Sequence, residues 1–250
     1  MTKDSDKAVN EIQPGIFLIR TPSPGCNVYL IRGTEKNVLI DASSAASFPA
    51  LKESLGTLGL DAKDIDVVIL SHEHFDHIGA ATFVFETGLV AAHRLAANKI
   101  ELQDEFTTLH QYFNVPDKRL RVHLWLEDST VIDLGNYQLQ ILYTPGHTSG
   151  CICVYELSKR LLFSGDTVFP GGTVSDIRAS GNAADYFNSL QRLSLLKIDH
   201  LYPAHGRVSD APAEDIEKAL QYTRAQFEES KILFEALSQK VLRQRARGKQ

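Results

Sequence analysis

A chain of 250 residues with 43% hydrophobic and 23% charged side chains is long enough to bury a sizeable core, and this composition excludes a disordered protein. The net charge of -5 gives no basic field, so nucleic acid is not expected as a partner. No apolar run reaches the length of a membrane span, the polar start lacks a secretory signal, and three cysteines are too few for a disulfide framework. We therefore expect a cytoplasmic protein without membrane association.

The first half of the chain alternates short apolar runs with turn residues. A flexible tail is predicted over residues 1–10, followed by a single domain over residues 11–250. Short β-branched runs between Pro and Gly turns predict strands, and amphipathic stretches bounded by helix breakers predict helices. These patterns give strands at 16–19, 27–31, 37–40, 66–70 and 89–92, and helices at 47–58, 79–87 and 94–113.

The second half repeats this outline without repeating the residues. The same patterns give strands at 122–126, 129–133, 137–143, 151–156, 160–164 and 200–202, and helices at 182–196 and 212–244. Strands followed by a helix, twice over, indicate two sheets packed face to face with helices outside. The last helix is predicted to be long, charged and amphipathic.

Ligand-type side chains are concentrated at residues 71–79, which read Ser-His-Glu-His-Phe-Asp-His-Ile-Gly. His72, His74, Asp76 and His77 directly follow the predicted buried strand 66–70. A lone histidine in a loop is usually only hydrogen-bonded, but imidazole and carboxylate groups packed this closely suit zinc and other first-row metals. In an extended loop His72 and His74 point to the same side. This one segment is therefore predicted to bind two adjacent metals.

Four more ligand-type residues follow predicted strands. Asp41 ends the third strand, and His147, Asp166 and His205 lie in the turns Thr-Pro-Gly-His, Ser-Gly-Asp and Pro-Ala-His-Gly. Each of these residues alone is often found in a turn only because its side chain stabilises the turn, and not because it binds a metal. Together with the histidine-rich segment, the last three complete a set of seven ligands, enough for two metals if one carboxylate bridges them.

The motifs in this order and spacing resemble the metallo-β-lactamase superfamily over nearly the whole chain, including the early Gly-Cys-Asn-Val-Tyr-Leu-Ile at residues 25–31. The resemblance implies an α+β fold, the four-layer αββα sandwich, with the site between the upper edges of two mixed sheets. It also implies roles: one metal held by His72, His74 and His147, a second by Asp76, His77 and His205, Asp166 between them, and Asp41 orienting a ligand imidazole by hydrogen bonding.

Two divalent ions are the expected cofactors, Zn²⁺ first, with Fe²⁺ or Mn²⁺ as alternatives. Two ions about 3.5–4 Å apart share a water and lower its pKa, which supplies a bridging hydroxide that attacks a carbonyl or phosphorus. Asp76 is predicted to be catalytic, because it can both bind a metal and pass a proton to the leaving group. A closed site that only holds the fold is the alternative, but three protein ligands per metal leave positions open, as catalysis requires.

Asp166 and the residues after it indicate which branch of the superfamily the chain resembles. True β-lactamases carry Cys or Ser at this position, so Asp166 is similar to the broader hydrolases of the glyoxalase II and lactonase types. Phe169 stands where quorum-quenching lactonases usually have Tyr, and the Pro-Gly-Gly turn at 170–172 differs from the usual turn of glyoxalase II. We expect hydrolysis of an ester, thioester or lactone of a small substrate. The alternatives are an iron-dependent persulfide dioxygenase with one metal, a phosphodiesterase or nuclease, and a metal-binding module without turnover.

Substrate contacts are predicted from residues beside the site loops. Aromatic side chains are candidates for an apolar wall, with core packing as their alternative role: Phe75, Phe169, and Phe106, Tyr112 and Phe113 of helix 94–113. Arg178 and Arg207 are candidates for holding an anionic end of the substrate, with a surface role as the alternative. Assembly into a homo-oligomer is left open by the sequence.

Overall fold

Two β-sheets form the centre of the molecule in a computed structural model that describes residues 7–84, 88–109 and 119–225. The strands of the first sheet are β1 (Val9–Gln13), β2 (Ile16–Ile19), β3 (Val28–Arg32), β4 (Asn37–Ile40), β5 (Val67–Leu70), β6 (Leu89–His93) and β7 (Leu124–Leu126). Those of the second are β8 (Val131–Asp133), β9 (Gln138–Tyr143), β10 (Ile152–Glu156), β11 (Leu161–Gly165) and β12 (His200–Pro203). The first sheet follows chain order, whereas the second has the order β12-β11-β10-β9-β8.

Helices lie between and after the strands. Their bounds are α1 (Phe48–Thr57), α2 (Phe75–Ile78), α3 (Ala81–Val84), α4 (Arg94–Glu101), α5 (Glu105–Thr108), α6 (Ala183–Ser194) and α7 (212–225). The Asn182 side chain caps α6 by accepting hydrogen bonds from the backbone N–H groups of Ala184 and Asp185. Within the described part of the chain, no helix combines the length and apolar character needed to cross a bilayer.

The apolar side chains of the strands alternate between two core layers. In β5, Val67 and Ile69 face the second sheet, whereas Val68 and Leu70 pack with the helices α1 and α4. A third core layer joins the outer face of the second sheet to α6 and α7. A period of two is what a strand buried on both faces requires. The layers are therefore helices, sheet, sheet and helices, which confirms the predicted αββα sandwich.

Strand direction brings the site loops to one edge of the sandwich. β4, β5 and β6 are parallel in the first sheet. In the second, β10 is antiparallel to both β9 and β11, and β11 is parallel to β12, so β9, β11 and β12 share one direction. Their carboxyl ends therefore meet at a common edge, as is usual for functional sites in sheets of this kind.

Close backbone contacts join the two sheets at this edge. The N–H of Ile152 donates to the carbonyl of Ser71 across the sandwich, at 2.9 Å. Gly165 has a φ of 51°, and a Cβ on it would lie 2.8 Å from the Cβ of Ser71. Only glycine permits this approach, which puts the loop after β11 directly beside the loop after β5.

The prediction of a flexible amino-terminal tail over residues 1–10 is wrong for residues 9 and 10. Val9 and Asn10 belong to β1 and pair with Ile19 and Leu18 of β2. The side chain of Val9 is partly buried against the helix-side core, so its apolar contact and the backbone pairing order this stretch. Residues 1–6 lie outside the described residues.

The helix predicted over 79–87 begins earlier. His74 is extended and is followed by the helical turn α2, in which the N–H of His77 donates to the carbonyl of His74 at 3.0 Å. Asp76 and His77 are thus held on a helical turn rather than on a free loop. A second turn, α3, follows, and residues 85–87 lie outside the described residues.

The helix predicted over 94–113 is interrupted. α4 ends at Glu101, Gln103 adopts a left-handed φ of 51°, and the carboxylate of Asp104 caps the short helix α5. The predicted apolar face is correspondingly broken, because Leu102 is 79% and Phe106 69% exposed. Residues 110–113 of the predicted helix, and residues 226–244 of the predicted last helix, lie outside the described residues.

Candidate metal centre

Three buried histidines converge at the common edge of the sheets. His72 and His74 follow β5, and His147 follows β9. The Nδ1 of His74 lies 2.9 Å from the Nε2 of His72 and 3.1 Å from the Nε2 of His147. Three ring nitrogens this close cannot all carry protons, and a cation between them would satisfy all three. We call these residues the histidine triad.

Neighbouring groups fix the orientation of two rings in the triad. The Nδ1 of His147 lies 2.5 Å from the carbonyl oxygen of Asp176 and donates to it, since a carbonyl only accepts. The lone pair of its Nε2 therefore faces the triad. On His72, Nδ1 lies 3.1 Å from the Ser71 hydroxyl, which leaves Nε2 to face His74.

The electrostatics of the triad favour neutral imidazoles. Burial lowers the pKa of His72 well below its ordinary value, and the neighbouring histidines lower it further. Burial and the nearby His147 and His77 lower the pKa of His74 to about 2. The pKa of His147 is also lowered, again chiefly by burial. Neutral imidazole is the form that binds metals, so no proton has to be removed first.

A second group of donors lies beside the triad. Asp76 and His77 come from α2, and His205 comes from the loop after β12. The Nε2 of His205 lies 3.4 Å from the Oδ2 of Asp76, and the Nε2 of His77 lies 3.8 Å from the same oxygen. The side chains of Asp76 and His205 are 21% and 38% exposed, so this group is open to solvent where the triad is closed.

The carboxylate of Asp166 faces both groups. Its Oδ1 lies 3.6 Å from the Nε2 of His77 and 3.5 Å from that of His205, and its Oδ2 lies 3.6 Å from the Nε2 of His147. Two ligand atoms on a tetrahedral zinc, each about 2.1 Å from the metal, are about 3.4 Å apart. These separations are therefore those of ligands around a shared cation on each side of Asp166.

Unpaired polar atoms provide a test of whether a metal fits. The Nε2 of His77 and the Oδ1 of Asp166 are buried, face each other, and have no hydrogen-bond partner among the described residues. A buried polar atom without a partner is costly, and coordination to a cation would satisfy both atoms. The nitrogen and oxygen donors thus fit divalent metals of the zinc type.

Asp41 holds His77 in place from behind. Its Oδ2 lies 2.9 Å from the Nδ1 of His77, and its oxygens also accept from the backbone N–H and the hydroxyl of Ser71. Asp41 has a left-handed φ of 59°, an unfavourable conformation for a residue other than glycine that is typical of functional sites. Burial lowers the pKa of His77, but the surrounding carboxylates of Asp41, Asp76 and Asp166 raise it more, and the net shift is upward.

A cavity of about 490 Å³ opens over the metal-binding edge. Its wall contains most of the donors together with apolar side chains and one arginine: His74, Phe75, Asp76, Leu109, His147, Asp166, Phe169, Val174, Ser175, Asp176, Arg178 and His205. Three predicted substrate contacts, Phe75, Phe169 and Arg178, are thus part of the wall.

Other predicted substrate contacts lie elsewhere. Arg207 is exposed and does not line the cavity; it follows Gly206, which has a left-handed φ of 82°. Phe106 is exposed on α5, and the described residue of this region that lines the cavity is Leu109, which was predicted for the apolar face of the helix but not as a substrate contact. Tyr112 and Phe113 lie outside the described residues.

Comparison with known proteins identifies the family. The family model described as Metallo-beta-lactamase superfamily matches residues 23–205, more than half of the chain. The chain belongs to the metallo-beta-lactamase superfamily. The resemblance predicted from the motifs is confirmed, and with it membership of a superfamily of metal-dependent hydrolases.

Three relatives illustrate the similarity. The human acyl-coenzyme A thioesterase MBLAC2 is 30% identical over 207 residues, which cover 72% of each chain. The hydroxyacylglutathione hydrolase of Aeromonas hydrophila is 32% identical over 179 residues, covering 71% of this chain and 60% of the relative. The crystal structure of TTHA1623 in a di-iron-bound form superposes with a TM-score of 0.66 at 28% identity, covering 78% of this chain and 95% of that one.

The sequence reading missed Glu73, which lies between two histidines of the motif. Its side chain is fully buried and contacts Lys99 of α4, the hydroxyl of Thr148 in the loop after β9, and the hydroxyl of Ser180 in the loop before α6. The alternation of side chains in an extended segment could have predicted the burial of Glu73. In an extended segment alternate side chains point to opposite sides, so a carboxylate between His72 and His74 must face away from their ligand nitrogens, into the protein.

Proposed function

We propose that this superfamily member is a binuclear metal-dependent hydrolase that cleaves thioester bonds of small molecules. The observation that carries the proposal is the position of Asp166, whose two oxygens face two separate groups of metal donors. One carboxylate shared in this way is what a pair of adjacent cations needs. Thioesters are favoured over esters and lactones because the names of two relatives, an acyl-coenzyme A thioesterase and a hydroxyacylglutathione hydrolase, both describe thioester hydrolysis.

The proposed ligands follow the two groups. His72, His74 and His147 would hold one ion, Asp76, His77 and His205 the other, and Asp166 both. Zn²⁺ is the proposed metal, because imidazole and carboxylate are its common ligands. When bound, two such ions lower the pKa of a water near them and polarise a carbonyl group of the substrate.

Asp76 is proposed as the catalytic residue. Its carboxylate is partly exposed in the cavity wall. Burial raises its pKa, but His77 and His205 outweigh this effect, and the net pKa is lower than usual. An ionised carboxylate can accept a proton from the attacking water and pass it to the leaving sulfur. Asp41 would keep His77 oriented through the bond to Nδ1.

The remaining cavity wall supports a substrate with one apolar and one anionic part. Phe75, Phe169, Leu109 and Val174 offer apolar surface for an acyl group. Arg178 offers a guanidinium for a carboxylate or phosphate, and its side chain is 50% exposed, so the anionic part would lie at the mouth of the cavity. The cytoplasmic location stays a prediction from the sequence.

A substrate panel on purified protein of known metal content tests this proposal. Five probes cover the classes: an acyl-coenzyme A, an S-acylglutathione, an aryl ester, a γ-lactone and a phosphodiester, each with Zn²⁺, Mn²⁺ or Fe²⁺ supplied. We expect kcat/KM for a thioester to exceed the other classes by about tenfold or more, which differences in substrate contacts can supply. The matched negative control is Asp166→Ala, which should lose thioester turnover.

Three results would contradict the proposal, each in favour of a different alternative. Oxygen uptake with a persulfide by protein holding one iron per chain would indicate a dioxygenase. A preference for the phosphodiester would indicate a phosphodiesterase or nuclease. No turnover of any probe by metal-loaded protein would indicate a metal-binding module.

A further inference from the structure

Glu73 is a fully buried carboxylate whose oxygens are occupied by three hydrogen-bond donors. Its Oε1 accepts from the Nζ of Lys99 at 2.7 Å and from the hydroxyl of Ser180 at 3.1 Å. Its Oε2 accepts from the hydroxyl of Thr148 at 2.9 Å. The charge is therefore both paired and hydrogen-bonded, which a buried carboxylate requires.

These donors come from three separate parts of the chain. Lys99 lies on α4, Thr148 is next to His147 of the triad, and Ser180 lies in the loop that also carries Arg178. The Nζ of Lys99 also donates to the hydroxyl of Ser149, at 2.6 Å. The ammonium group of Lys99 therefore binds the loop that contains Thr148 and Ser149. Glu73 is thus the point at which the two loops of the triad are joined.

The packing around Glu73 leaves these loops little freedom. A Cβ on Gly150 would lie 2.4 Å from the Oε2 of Glu73 and 2.7 Å from the Cβ of Ala96 on α4. The loop after β9 therefore approaches the carboxylate and α4 more closely than any larger residue would allow. The carboxylate is connected through the backbone to His72 and His74, its neighbours in sequence, and through its hydrogen bond with Thr148 to the backbone beside His147.

Net stability is a poor explanation for this arrangement. The desolvation of a buried ion pair offsets most of its attraction, so such a pair adds little to the free energy of unfolding. Directional hydrogen bonds to one rigid acceptor do fix distances, and groups behind metal ligands commonly control metal affinity in this way.

We propose that Glu73 is a positioning residue for the histidine triad, holding the loops of His72, His74 and His147 at the separation at which their ring nitrogens converge. This inference rests on the proposed function, since it takes the triad to bind a metal. Asp41 serves the other group by direct contact with His77. The carboxylate of Glu73 instead bonds to donors outside the triad, so it acts on the imidazoles through the backbone and through Thr148. Loss of the Glu73 carboxylate should therefore weaken metal binding at the triad and leave metal binding at the Asp76, His77 and His205 group unchanged.

Zn²⁺ affinity, measured by competition with a chelator, tests this selectivity. In a His205→Ala background the triad keeps its full set of histidines, and there we expect Glu73→Gln to weaken Zn²⁺ binding by about 10–100-fold. In a His74→Ala background the other group keeps its full set, and there the same substitution should change the affinity by less than about threefold.

Glu156→Gln is the matched control. Glu156 is another fully buried carboxylate, it accepts from the Ser158 hydroxyl and the Lys159 N–H, and it lies at the far end of β10. We expect this control to leave both affinities unchanged. The double variant Glu73→Gln/Lys99→Met removes both charges, so it avoids an unpaired buried cation and should still show the selective loss.

Thr148→Val keeps the inference testable if both Glu73 variants fail to fold. It removes one hydroxyl donor and leaves the Glu73–Lys99 pair intact, and we expect weaker Zn²⁺ binding at the triad by up to about tenfold. The inference is overturned if Glu73→Gln, or Thr148→Val in its place, weakens both groups equally or neither, or if Glu156→Gln weakens the triad as much. Failure of the wild type to bind Zn²⁺ would overturn the proposed function instead.

Discussion

The two donor groups of the metal centre differ in how far they are closed to solvent. His72, His74 and His147 are 0–4% exposed, whereas the side chains of Asp76 and His205 are 21% and 38% exposed and line the mouth of the cavity. A closed group of neutral imidazoles is organised before a metal arrives. An open group that contains a carboxylate can exchange ligands with water or substrate. Under the proposed function, the triad would retain its metal and the second group would contact the substrate.

The largest difference between the two groups is expected when one histidine in each is replaced. We expect His74→Ala to lower kcat by about 10³-fold or more and to weaken Zn²⁺ binding beyond the 100-fold typical of residues behind the ligands. His205→Ala should have the smaller effect on both, because water can replace an exposed ligand. Steady-state kinetics and chelator competition on the two variants provide the check. Equal or reversed effects would contradict the assignment of retention to the triad.

Asp76→Asn addresses the proton-transfer role of the open group. Asparagine keeps the shape of the side chain but cannot accept a proton, so kcat should fall by about 10²–10⁴-fold with little change in KM. The melting temperature should stay near that of the wild type, because the side chain is partly exposed. An unchanged kcat at full metal occupancy would remove Asp76 from the mechanism.

Asp41→Asn is expected to affect the open group alone. The change weakens the hydrogen bond to the Nδ1 of His77, and we expect Zn²⁺ affinity of the open group to fall by about 10–100-fold while the triad keeps its own. Chelator competition in the His74→Ala and His205→Ala backgrounds separates the two. Equal weakening of both groups would mean that Asp41 only supports the fold.

Arg178, at the mouth of the cavity, is expected to make only a small contribution to substrate binding. Arg178→Gln should raise KM for an anionic thioester by about twofold to fivefold and leave a neutral thioester unaffected, since exposed ion pairs are weak. Arg207→Gln is the matched control, because Arg207 is exposed and does not line the cavity. An equal rise in KM for the neutral thioester would show that Arg178 acts on packing and not on charge.

Much of the fold was predictable because the strands are short, β-branched and bounded by turn residues. The sandwich follows from that pattern, since strands such as β5 show apolar side chains on both faces. The convergence of His72, His147, Asp166 and His205 was predictable for a similar reason. Each follows a strand, and strand ends of common direction meet at one edge.

The unpredicted features depend on contacts between distant parts of the chain. Glu73 is 26 residues from Lys99 and 75 from Thr148 in sequence, and no local pattern links them. The break between α4 and α5 depends on the left-handed Gln103 and the cap at Asp104, which outweighed the apolar spacing. Leu109 ends α5 in a left-handed conformation and lines the cavity, which the expectation of one continuous helix over 94–113 did not predict.

The most direct test of two metals sharing Asp166 is a crystal structure of Zn²⁺-loaded protein with anomalous data collected above and below the zinc absorption edge. We predict two zinc peaks per chain, one within the histidine triad and one at Asp76, His77 and His205, each about 2.0–2.2 Å from an oxygen of Asp166. A single peak at full loading, or two peaks of which only one contacts Asp166, would contradict the account.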